Sequence, residues 1–180
     1  FGQPGFFRPR FPSPELGMNH TPDSLSYYDT SPLKSTLERF IDFDRINAKK
    51  TRLSVGAVEV CSGAMVYFDS HKETIGPEHI MASGALPPGF PAVRVGDKFY
   101  WDGGISSNSP ATYILSSDEC PKNLLCFTIH LFDSFGLAPT TMDEVNKRKK
   151  DIEFSSRHST ILEFYNLVHT LKNSIHLLSK

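Results

Sequence analysis

Apolar or small residues recur at every second position through Leu53, Val55 and Ala57, with Glu59 in phase, while Ser54, Gly56, Val58 and Val60 face the other way. That period of two predicts a strand. After a Ser62-Gly63 turn, Met65-Val-Tyr-Phe68 predicts its antiparallel partner. Ala92 to Val95 and Lys98 to Trp101, joined at Gly96-Asp97, predict a second hairpin that delivers Asp102 at its end. Helical signals surround these hairpins. Thr30-Ser31-Pro32 sets a capping hydroxyl before a proline, and Leu33, Leu37, Phe40 and Ile41 follow at helical spacing, so one amphipathic helix is expected over 32–46. Gly76-Pro77 opens a short helix closed by Ser83-Gly84, and Leu86-Pro-Pro-Gly-Phe-Pro91 is too dense in proline for helix or inner strand.

Further along, Ser109 and Pro110 read as the cap and first residue of a helix to about Leu115. Leu124 to Phe132 is an almost unbroken apolar run, the pattern of a strand buried on both faces. Thr141-Met-Asp-Glu144 is a capping box that should open a helix to about Phe154. Ile161, Phe164, Val168, Leu171, Ile175 and Leu178, spaced alternately by three and four, form a stripe on a last helix, which packs against the domain or against a partner helix. At the other end, residues 1–23 hold five prolines among Phe6, Phe7, Phe11, Arg8 and Arg10, with neither helical nor strand period. This is irregular chain, and its aromatics suggest a loop packed on a surface. Antiparallel hairpins, a buried strand and intervening helices together predict an α/β protein with a mixed sheet. Three regions result: an irregular proline-rich segment at 1–23, the α/β part at 24–135 and a helical extension at 136–180.

Composition narrows the function. The 180 residues carry a formal charge of −1, which offers nucleic acid no global attraction. No apolar run approaches the roughly 20 residues needed to span a bilayer. Cys61, Cys120 and Cys126 are odd in number and lack Cys-x-x-Cys spacing, which argues against a disulfide framework and a zinc site and for a reducing compartment. The chain opens on Phe1 rather than Met, so a preceding region is expected to have been removed.

Chemistry is expected where the second hairpin breaks into Asp102-Gly103-Gly104. A double glycine accepts positive φ and lets a carboxylate sit at the mouth of a sharp turn. The same Asp-Gly sequence also serves as a plain connector, and residues alone leave both readings open. No Gly-x-Ser-x-Gly elbow and no Gly-Gly-Gly stretch occurs, so a serine nucleophile and an oxyanion hole would lie elsewhere. His71 and His79 lack metal-ligand spacing with Asp69 and Glu78 and read as surface histidines; no metal is expected. His130, inside the apolar run, reads as a core or sheet-end histidine, with a lesser role as an alternative base following Asp102 in the hydrolase order. Lys147-Arg-Lys-Lys150 reads as a solvated helix face before a phosphate or anionic-lipid contact. No phosphate-cradling glycine loop is present.

Met81-Ala-Ser-Gly-Ala-Leu-Pro-Pro-Gly-Phe-Pro91 and Tyr100-Trp-Asp102-Gly-Gly-Ile-Ser-Ser-Asn108-Ser-Pro110, taken together, resemble the second half of a patatin-like phospholipase domain. In that family an alanine-serine helix end and an aromatic-proline step precede a short hairpin, which ends in Asp-Gly-Gly or Asp-Gly-Ala followed by Asn-x-Pro. Tyr28-Asp-Thr-Ser-Pro-Leu33, Phe43-Asp-Arg-Ile-Asn47 and Lys150-Asp-Ile-Glu-Phe-Ser-Ser-Arg157 are similar to a bacterial subgroup with its own C-terminal extension. The resemblance implies a three-layer α/β sandwich with C-terminal helices. It also implies a Ser/Asp dyad in which Asp102 takes the serine proton, Gly103 and Gly104 permit the turn, and Asn108 helps hold the loop. A lipid ester is then the substrate and no cofactor is needed. The serine is supplied by the N-terminal half of the same domain, and this chain alone is expected to be inactive. The resemblance leaves room for a peripheral membrane contact and places the protein in the cytoplasm or at a membrane periphery, with no role for nucleic acid. The rival reading is a non-catalytic module of the same fold that binds lipid or protein.

Overall fold

The structure, a computed structural model, describes residues 2–11, 21–106, 113–114, 125–129 and 131–178. Contacts divide the chain into two compact units, Phe1–Ser107 and Asn108–Lys180.

The first unit is built on the two hairpins that the alternation predicts. β1 (Arg8–Pro9) and β2 (Tyr28–Asp29) form a short ladder of their own. β3 (Ser54–Glu59) and β4 (Met65–Asp69) pair antiparallel, as do β5 (Val93–Val95) and β6 (Lys98–Asp102), and the β3–β6 ladder joins them into one sheet of order β4-β3-β6-β5. Gly63 and Gly96 take positive φ at the two hairpin turns, where a side chain would be strained. Sheet and helices confirm the α/β class. Every ladder among the described residues is antiparallel, so the parallel partner of a mixed sheet is not among them.

One face of the sheet carries the core. Ala57, Phe68 and Tyr100 are buried there with Ile75 and Ala82, and Leu53, Val55, Val66 and Val93 close around them. The helix α3 (Pro77–Ser83) lies on this face against β3, β5 and β6, and α1 (Ser31–Phe40) packs on α3. Edge-to-face contacts run from Tyr100 to Phe68 and from Phe68 to His79, at ring separations of 5.1 and 4.7 Å.

Several expectations change. The single helix expected over 32–46 is two, because Asp42 leaves helical geometry and its carboxylate accepts the Arg45 N–H at 2.9 Å, capping α2 (Phe43–Asn47). Asn47 then pins α2 to the loop before α3: its amide donates to the Ile75 carbonyl and accepts the Ile75 N–H, at 3.0 and 2.8 Å. His79 is buried, not a surface residue; Nδ1 accepts the Gly76 N–H at 2.9 Å, placing the ring proton on Nε2. His71 is exposed as expected. Phe6 and Phe7 pack against Phe90, and Phe7 also against Tyr28, so this part of the proline-rich start is held by its aromatics, whereas Phe11 is exposed.

Among the described residues of the second unit the predicted strand is not formed. Residues 125–129 and 131 have no ladder, and Leu125, Phe127, Ile129 and Leu131 are exposed. A doubly buried strand needs neighbours on both edges and cover on both faces, and the described residues give this run neither. The capping box is present, with the Thr141 hydroxyl accepting the Glu144 N–H and the Glu144 carboxylate accepting the N–H groups of Thr140 and Thr141. It opens one continuous helix, α4 (Met142–Leu178), where two were expected, since no glycine or proline interrupts those 37 residues. Lys147, Lys149 and Lys150 are exposed, and Arg148 donates to the carbonyls of Asp133 and Ser134. Among the described residues no helix is long and apolar enough to cross a membrane.

Candidate active site

Asp102 is the last residue of β6, in register with Ala57 of β3 and on the same face of the sheet as Tyr100. Two backbone contacts fix it. Its N–H donates to the Ala85 carbonyl just beyond α3 at 3.0 Å, and its carboxylate accepts the Gly104 N–H at 2.8 Å. The chain then tightens into a 3₁₀ turn over Gly103–Ile105, capped by the Asp102 side chain. The carboxylate is partly buried. Withdrawal from water pushes its pKa above the ordinary aspartate value, a rise only partly offset by the Gly104 N–H. Burial thus makes Asp102 a stronger base than a free aspartate, while the backbone holds its orientation.

Gly103 is needed for a reason other than the expected one. Gly103 has no positive φ; it is buried against β3, where a Cβ would stand 2.7 Å from the Gly56 carbonyl oxygen and 2.9 Å from Met65 Cε. Two backbones meet here. The signal was Gly56, since a glycine inside a strand marks a close approach of another chain segment. Ala85, whose carbonyl anchors Asp102, carried no signal, because a backbone acceptor leaves no trace in residue type.

Asn108, Ser109, Pro110 and His130 lie outside the described residues, as do most of the helix predicted from Pro110 and Cys120. Among the described residues the donor to the Asp102 carboxylate is Gly104, and no group of His, Cys, Asp and Glu side chains could hold a metal. Cys61 and Cys126 are free thiols. A cleft of about 430 Å³ in the second unit, lined among others by Phe135, Leu137, Lys147 and Arg148, does not contain Asp102.

The sequence profile of the patatin-like phospholipase family matches residues 4–115, more than half of the chain. The chain belongs to that family. No curated protein and no solved structure matches it. The patatin-like region takes in the proline-rich start, both hairpins and the Asp-Gly-Gly turn, and it ends before the apolar run at Leu124. Membership brings lipid acyl hydrolysis as the general chemistry of the fold, and Asp102 is the carboxylate that the Asp-Gly-Gly motif presents.

Proposed function

We propose that this patatin-like chain supplies the general base of a Ser/Asp dyad that cleaves lipid esters, with the serine contributed by a segment outside these 180 residues. The observation that supports it is the carboxylate of Asp102, partly buried at a strand end, raised in pKa and oriented by one backbone N–H. A general base works best with a pKa moved toward the working pH, and burial moves this one in that direction. In the reaction, Asp102 accepts the serine Oγ proton as Oγ attacks the ester carbonyl carbon. The tetrahedral intermediate collapses, the C–O bond to the alcohol breaks, and protonated Asp102 returns the proton to the leaving oxygen. Water, deprotonated by the same carboxylate, then attacks the acyl-enzyme carbonyl; as the acyl C–Oγ bond breaks, protonated Asp102 returns the proton to Oγ, which releases the fatty acid and regenerates the serine and the carboxylate. The substrate brings the complete protein to a lipid surface.

The test is ester turnover by the complete protein and by Asp102→Asn, which keeps shape and removes the base. A fall in kcat/KM of about 10² to 10⁴ is expected, the usual contribution of a positioned base. Turnover at the parental level would sink the assignment. Because only ionised Asp102 accepts the proton, activity should disappear as pH falls through its raised pKa, and the acid limb should lie above the ordinary aspartate range. The 180-residue chain alone should show no turnover.

A further inference from the structure

The outer half of α4 carries an apolar pattern that the hydrolase reading leaves unused. Ile161, Phe164, Val168, Leu171, Ile175 and Leu178 recur at intervals of three and four, an average of 3.5. That is the heptad seam, with Ile161, Val168 and Ile175 at one position, a, and Phe164, Leu171 and Leu178 at the other, d. Leu171 and Ile175 are exposed by 53% and 65%, and Leu167, on the flank of the seam, by 58%. We propose that this stripe joins the same stripe of a second copy of the chain in a parallel two-stranded coiled coil.

Three observations select that occupant. Every a residue is β-branched and two of three d residues are leucine, the combination that favours two parallel strands over three or four. From Ile161 to Leu178 the charged residues are Glu163 and Lys172 alone, so a second copy meets no repulsion. From Ile161 to Leu178 a lipid surface would meet no cationic face, which an interfacial helix uses to hold headgroups; Lys147, Lys149 and Lys150 lie in the other half of α4. The exposed apolar side chains of the described residues here, Phe164, Leu167, Leu171 and Ile175, offer on the order of 100 Å² each, about 800 Å² for the pair, so a weak association is expected.

Sedimentation equilibrium of the chain tests this. At about 100 μM, a concentration at which a pair with a micromolar constant is assembled, the expected mass is twice that of one chain. Leu171→Asp and Ile175→Asp should each return it to a single chain, with the fluorescence of Trp101 in the first unit unchanged. A second measurement fixes orientation: with Cys61, Cys120 and Cys126 replaced by serine, Leu171→Cys should form a disulfide with its own copy on mild oxidation, because identical d positions oppose each other only in a parallel, in-register pair. A single-chain mass at that concentration, a trimer or larger species, or failure of the cysteine to cross-link would each overturn the proposal. So would a single chain that binds phosphatidylcholine–phosphatidylglycerol vesicles through Leu171.

Discussion

Replacing Gly103 by alanine tests how the site is held. The new methyl group would stand 2.7 Å from the Gly56 carbonyl oxygen and 2.8 Å from its carbon, where ordinary contacts begin near 3.4 Å. Neither atom can rotate away, since both belong to the β3 backbone beside the Ala57–Asp102 pair. The ladder must open by several tenths of an ångström. Overpacking of this kind costs about 1–3 kcal/mol, and a weakened ladder hydrogen bond adds roughly 1 kcal/mol, so a loss of about 2–4 kcal/mol is expected. Trp101, the single tryptophan, lies next to Asp102 and reports urea unfolding directly. With a slope of about 2 kcal/mol per molar, the midpoint should fall by about 1–2 M. Gly56→Ala supplies the contrast, because its methyl group would meet the mobile end of Met65 at 2.5 Å and the Tyr67 ring at 3.2 Å. It should cost about 1 kcal/mol and recover when Met65 is also shortened to alanine. The same Met65→Ala change should rescue Gly103→Ala only in part, because it removes the 2.9 Å contact with Met65 Cε and leaves both contacts with the β3 backbone. A Gly103→Ala midpoint equal to the parent's, or its full recovery by Met65→Ala, would refute the two-backbone contact.

Other consequences are as direct. Asn47→Ala strips both partners from the Ile75 backbone, and since Ile75 is 1% exposed those groups stay dry, so about 2–4 kcal/mol should be lost in the same urea assay. Asp69 is fully buried and accepts from Arg52 Nε at 2.8 Å and from the His71 N–H at 2.9 Å, so Asp69→Ala should cost about 2–4 kcal/mol by removing the buried acceptor of both, the guanidinium itself being partly open to water. Asp102→Asn should stabilise the fold above the raised pKa. The folded state holds that proton more tightly than the unfolded one, so parental stability falls as pH rises through the window and the asparagine variant, which does not titrate, gains on it. A gain that grows with falling pH would contradict the burial of the carboxylate. Glu144, held below the usual carboxylate range chiefly by the Thr140 N–H, should cap α4 until pH falls through that lowered value, which circular dichroism of the chain would register as fraying of its first turn.

The hairpins, α3 and the capping box were legible because each is written in local chemistry: alternation from Leu53 to Glu59, Gly76-Pro77 at a helix start, Thr141 three residues before Glu144. Asp102 was legible for the same reason, as the end of an alternating strand followed by glycines. What failed depended on partners. The break at Asp42 was hidden because Phe40 and Ile41 continue the helical period across it, although an aspartate three residues before Arg45 is itself a cap signal. His79 looked superficial because its charge pattern suggests water, yet one backbone N–H on Nδ1 and the Phe68 ring satisfy it inside. The apolar run from Leu124 predicts burial, but burial is a property of neighbours, and period alone does not supply them.

The placement of Asp102 is recorded twice, by its pairing with Ala57 across the sheet and by its N–H on the Ala85 carbonyl. A strand that slips by one residue turns every side chain to the opposite face, and sheets that rely on pairing alone tolerate such errors during folding. Here a slipped β6 would still find hydrogen bonds along β3, yet it would bring a different residue to Ala85 and leave that buried carbonyl misplaced. The second contact therefore acts as a proofreading step for the register, so that a hairpin closed in the wrong frame is penalised before the carboxylate is ever needed.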